Sequence, residues 1–166
     1  MQKAWAFSLL LLLICATARA DGVPSVTQGT SKAFLDIVTA SGALRRVRVS
    51  RDAFVAAGAK PRKIELVAER ANGTLIVIDT FASRPGAMSL CQAGTERSLR
   101  ILVPTKAGAA ARLVERDHLK LESCHGNIEL ADGGVEWREA DSTLRIRWLQ
   151  GPTKKGELEE RVLHIE

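Results

Sequence analysis

From residue 34 onward, apolar residues recur at every second position in short runs, and Gly, Pro, Asn, Asp or Ser interrupts each run. A period of two is the signature of strands with one buried face, and the close spacing of the breaks leaves little room for helices. The pattern therefore predicts an all-β fold of antiparallel strands, a sandwich or a partly open barrel, with at most one or two short helices. The first hairpin runs over 34–38, turns at Ser41-Gly42 and returns over 44–49. After it, Ser50 is placed to cap a short helix over 52–57, with Gly58 at its end and Pro61 beyond.

Asn72-Gly73 is the pair that a two-residue type I′ turn favours. That turn would set Ala71 opposite Thr74, Ala68 opposite Val77, Val67 opposite Ile78 and Ile64 opposite Phe81. Both faces of this hairpin are apolar, which predicts a place near the centre of a sheet covered on both sides. The same residues spell a glycosylation sequon with Thr74, but turn chemistry already accounts for them.

Farther on, 98–103 reads as a strand with Leu99, Ile101 and Val103 on one face. The Ala- and Gly-rich 105–113 is either a loose turn or one helical excursion. In 118–122, Leu119 and Leu121 point inward, with His118, Lys120 and Glu122 outward. A second hairpin pairs 135–139 with 143–148, setting Val135 opposite Ile146 and Trp137 opposite Leu144 on an apolar face, and Glu136 opposite Arg145 on the other. Trp137 and Trp148 are then core residues, and 160–165 supplies an edge strand.

Residues 1–20 do not fit this pattern. Lys3, the apolar stretch 4–16 and Ala18-Arg19-Ala20 have the order of a cleaved export signal, leaving 21–166 as a single β-rich domain in the periplasm or outside the cell. Lipidation at Cys15 is disfavoured by Ile14, where such signals carry a small residue. No apolar run reaches the ~18 residues of a membrane helix, and the Ala- and Arg-rich composition reads as bacterial. Processing leaves two cysteines, Cys91 and Cys124. In an oxidising compartment they are expected to join, closing a loop for which chain entropy gives roughly 4 kcal/mol.

The formal charge of +5 falls to about +3 once Lys3 and Arg19 are removed, and the basic residues are scattered among acids. That field is too weak for nucleic-acid binding. Arg46 and Arg48 share a strand face, which reads either as a solvated face or as a stripe that meets an acidic partner.

The longest stretch without clean periodicity, 82–97, surrounds Cys91, and a bridge there would pin a loop on a rigid scaffold. Arg84, Met88, Gln92 and Arg97, with His125 beside the other cysteine, are the candidate partner-binding residues. No nucleophile-elbow, zinc-protease, phosphate-loop or calcium-loop motif occurs, so an enzyme is disfavoured, and no cofactor or metal is expected. The alternatives are a small hydrolase or metal-binding enzyme using His125 or His118 with Asp117 or Glu122, and a small-ligand carrier with a cavity between sheets. In size, export signal, single bridge and β content the chain is similar to periplasmic lysozyme inhibitors. At residue level that likeness is confined to Ser41-Gly42, followed by Ala43 and Leu44 where some active loops of that group carry Tyr, and no site is carried over. The reading is an exported, disulfide-braced binding protein; its sharper form is an inhibitor or immunity-type protein against an envelope enzyme or toxin, and an assembly or adhesion factor is equally compatible.

Overall fold

A computed structural model describes residues 29–85, 91, 94–105, 112–154 and 157–166; the expected export signal and candidates Met88 and Gln92 lie outside these residues. Among the described residues there are nine strands and no helix: β1 (Gly29–Val38), β2 (Leu44–Arg51), β3 (Lys63–Glu69), β4 (Leu75–Ala82), β5 (Thr95–Pro104), β6 (Leu113–Ser123), β7 (Glu129–Arg138), β8 (Thr143–Gln150) and β9 (Glu159–His164). They form antiparallel sheets β1-β2, β3-β4-β5-β6 and β7-β8-β9. The fold is all-β and sandwich-like, as the alternation predicts.

The middle sheet is covered on both faces because β4 and β5 carry apolar side chains at both parities. Leu75, Val77, Phe81 and Leu102 join Leu35, Ile37, Val47 and Val49 of the β1–β2 hairpin in one core. Ile76, Ile78, Leu99 and Ile101 join Leu144, Ile146 and Trp148 in a second core on the opposite face. Of the hairpin expected at the sheet centre, β4 is covered on both sides, as is β5 beside it, whereas β3 lies at the sheet edge. β1 runs beside β3 and β2 beside β6 without ladder pairing, so the hairpin and the middle sheet enclose a core without closing a barrel.

Registers test the sequence reading most sharply. Val135↔Ile146, Glu136↔Arg145 and Trp137↔Leu144 pair as predicted. Trp148 is fully buried, while Trp137 is half-buried with the Arg70 guanidinium 5.6 Å from its ring. β9 is the expected edge strand.

The β3–β4 register differs from prediction. Val77 faces Leu66, Ile76 faces Ala68, and Ile64 faces Asp79 rather than Phe81. Two causes add. Gly73 takes positive φ (+83°) but Asn72 does not, and the Arg70 N–H donates to Thr74 O (2.9 Å), so the connection is one residue longer than a type I′ turn. A bulge at Val67 adds the second slip.

The helix over 52–57 does not form. Asp52 instead accepts the Phe54 N–H on Oδ1 (2.7 Å) and the Val55 N–H on its carbonyl (3.1 Å), and Val55 bridges to Ser83. Six residues are too few for a helix to offset its nucleation cost against these tertiary bonds. Ser50 caps nothing; its N–H donates to Glu115 Oε2 (2.6 Å), tying β2 to β6.

Cys91 and Cys124 are joined as expected. The bridge is packed so closely that a Cβ on Gly94 would lie 2.8 Å from Cys124 Cβ, which excludes any side chain there. Disulfide stabilisation grows with the loop closed. Reduction, or a Cys91→Ser/Cys124→Ser double variant, should therefore cost about 3–4 kcal/mol, read as a lower midpoint of urea unfolding with a steeper slope, because the unfolded chain without its cross-link exposes more surface.

Candidate binding surfaces

Three features combine exposure or ionic chemistry with a fixed scaffold. At the bridge, Arg84 and His125 come together. The His125 ring stacks on Phe54 (centroids 5.1 Å apart) and its Nε2 lies 2.7 Å from the Arg84 carbonyl. The Arg84 N–H in turn donates to Phe54 O (2.6 Å). This cluster is a clasp between the 52–55 turn, the chain after β4 and the bridge. Arg97 is not part of it. It sits on the opposite face of the middle sheet, held by Glu122 (3.2 Å) and Glu65 (3.7 Å). Glu122 is accordingly half-buried rather than facing solvent.

Beneath the β1–β2 hairpin lies an ionic cluster. Lys120 is buried, contrary to the outward placement that alternation predicts, because a second layer covers that face of β6. Its Nζ lies 2.6 Å from Asp52 Oδ2 and 2.8 Å from Glu96 Oε2. Buried Arg100 pairs with Asp79 (2.9 Å) and with Glu115. Burial alone would raise the Asp52 and Glu115 carboxyls, but Lys120 beside the first and Arg100 beside the second hold both below their ordinary values. Asp79 is different. Its carboxyl is pushed up because complete burial outweighs Arg100, and its Oδ1 has no partner. His118, also expected outward, is half-buried against this cluster; burial and then Arg100 lower its pKa to about 4. The imidazole is thereby kept neutral, with its Nε2 enclosed and unpartnered.

The third feature is the outer face of the β1–β2 hairpin. Ala33, Leu35 and Ile37 turn inward, so Lys32, Phe34, Asp36 and Val38 turn outward; on β2, Leu44, Arg46 and Arg48 do the same. Register sets Phe34 opposite Arg48, Asp36 opposite Arg46 and Val38 opposite Leu44. Arg46 makes a bidentate pair with Asp36 (2.6 and 2.8 Å). Where β2 passes β6, a depression of about 770 Å³ opens between this face and the start of β6, lined by Lys32, Phe34, Arg48, Arg112 and Val114 among others. The Arg46/Arg48 stripe was legible from alternation. Arg112 has no local mark, whereas Phe34 has one: the apolar residues of 34–38 fall on both faces, a sign that one face carries exposed hydrophobes.

A smaller groove of about 420 Å³ separates the free edges of β6 and β9 over Ile101, Leu119 and Leu163. The arginines at its mouth already have partners, Arg116 with Asp117 and Arg161 with Glu159. Among the described residues no group of three His, Cys, Asp or Glu side chains is placed to hold a metal, and no helix is long and apolar enough to cross a membrane. Compared with protein-family models, with curated proteins and with solved structures, the chain matches none.

Two predictions follow from the ionic cluster. Lys120→Met would leave Asp52 and Glu96 as uncompensated buried carboxylates and should destabilise the fold by about 3–5 kcal/mol in urea unfolding at neutral pH. For His118, the folded-state pKa lies below the unfolded value, so its contribution is complete above pH 6.5 and is lost as pH falls to about 4. The loss should be of order 3 kcal/mol, with Asp79 acting in the opposite sense because its carboxyl binds a proton more readily when folded. His118→Gln should flatten the stability profile between pH 6.5 and 4, measured as the unfolding midpoint across that window.

Proposed function

We propose that this chain is an exported binding protein, periplasmic or secreted, that acts without catalysis by docking on another envelope or extracellular protein. An inhibitor or immunity-type protein against an envelope enzyme or toxin is the form that best fits a small, braced β scaffold. The observation that carries the reading is the exposure of Phe34 (59%), Val38 (58%) and Leu44 (67%) on one hairpin face, which no strand among the described residues covers and whose opposite side is locked into the core. Aromatic and arginine side chains on a rigid support are the residues that dominate protein interfaces. The disulfide supports residence in an oxidising compartment. His125, the alternative catalytic candidate, has its ring engaged by Phe54 and the Arg84 carbonyl, an arrangement suited to bracing.

The test is affinity capture from envelope and extracellular fractions of the source cells with the disulfide-intact protein, beside a Phe34→Asp/Leu44→Asp variant. Both sites are exposed, so the variant should keep its unfolding midpoint. A stoichiometric protein partner held by the wild type and lost by the variant is the expected result. Equal retention by both, or no partner in either fraction, would overturn the reading. A co-purifying small molecule in native mass spectrometry would overturn it in favour of a carrier.

A further inference from the structure

We infer that the depression between the β1–β2 hairpin and the start of β6 is a docking site for an acidic protein segment, one carrying clustered Asp or Glu carboxylates beside an apolar side chain. The inference rests on the binding reading above and adds the chemistry of the partner.

The charges around this depression do not cancel. Arg46 is satisfied by Asp36, and Arg116 by Asp117. Of the two carboxylates lining the depression, Asp117 is thus taken by Arg116, and Glu115 is committed to Arg100 and to the Ser50 N–H. Among the described residues, Lys32, Arg48 and Arg112 have no acidic partner, and all three are exposed. Three cations without an acidic partner among the described residues therefore line one depression with an aromatic ring: Phe34 lies directly across the ladder from Arg48, and Val114 (41% exposed) lines the same depression. Carboxylates would meet the guanidinium groups of Arg48 and Arg112 in bidentate fashion and the Lys32 ammonium as a point charge. An apolar partner side chain would lie on Phe34 and exclude water from those pairs, which strengthens them.

The same features argue against a nucleic acid. Backbone recognition needs a longer track of cations than three, and Phe34 and Val114 offer an apolar floor in place of stacked aromatic platforms. The groove between β6 and β9 lacks this imbalance, since both of its arginines are paired.

The experiment uses the secreted, disulfide-intact protein, ¹⁵N-labelled, titrated with a short synthetic peptide rich in Asp, Glu and Leu. Its Asn/Gln counterpart and a DNA oligonucleotide are titrated in parallel. Amide shifts should concentrate at 32–36, 46–50 and 112–116 for the acidic peptide alone, and its affinity should fall about tenfold from low to high salt. Arg48→Glu/Arg112→Glu should abolish the shifts at unchanged unfolding midpoint, whereas Arg48→Lys/Arg112→Lys should retain part of them. Shifts elsewhere, no shifts, equal binding of the Asn/Gln peptide, or tighter binding of the oligonucleotide would each overturn the inference. The two readings separate in the capture assay. A partner retained by Arg48→Glu/Arg112→Glu but lost by Phe34→Asp/Leu44→Asp leaves the binding reading standing and removes the acidic segment.

Discussion

The arrangement depends on a charge problem solved inside the protein. Four carboxylates (Asp52, Asp79, Glu96 and Glu115) and two cations (Arg100 and Lys120) meet between the hairpin and the middle sheet. Each carboxylate belongs to a different stretch of chain: the turn after β2, then β4, β5 and β6. Taking these groups out of water is expensive, and their mutual attraction returns little beyond that cost. What the cluster supplies is position. The 52–55 turn cannot leave Lys120, nor β2 leave Glu115, without baring a charge in a dry interior.

That constraint gives the outer face its rigidity. An isolated two-stranded ribbon is marginal in water. Here Leu35, Ile37, Val47 and Val49 are anchored in the core, and the Ser50 N–H is tied to Glu115. The outward residues are thus presented by a strand pair that has no other stable place to go. Ordering entropy is met on folding rather than on binding, which is the condition under which a few aromatic and arginine contacts yield useful affinity.

The 135–148 register was readable in the sequence because apolar and ionic pairs segregate cleanly there, so a slip would mix the faces. The β3–β4 register was not, because both faces are apolar and a slip leaves no trace; neither the Val67 bulge nor the longer Arg70–Thr74 closure has a sequence mark. Alternation points Lys120 and His118 outward because it records two faces and does not say that both are covered. Of the candidate binding residues, Arg84 and His125 do meet, as their closeness in sequence to Cys91 and Cys124 implies. Arg97 lies elsewhere, since neighbours along a strand point to opposite faces. Arg112 joins Arg48 only because β2 passes β6, a contact between segments some 65 residues apart that no local pattern encodes.

The same cluster connects the bridge to the hairpin. From Cys124 the path runs through His125 to Phe54, back along the turn to Asp52, and across to Lys120 and Glu96; Ser83, bridged to Val55, donates its hydroxyl to Glu96 (2.9 Å). The bridge thus does more than shorten the unfolded chain. It holds in place the turn that delivers Asp52, and Asp52 is half of what neutralises Lys120. Compensation is incomplete even so: four carboxylates meet two cations, and Asp79 keeps an unpartnered oxygen and a raised proton affinity. The imidazole of His118, kept neutral at neutral pH by burial and by Arg100, avoids adding a third cation beside Arg100.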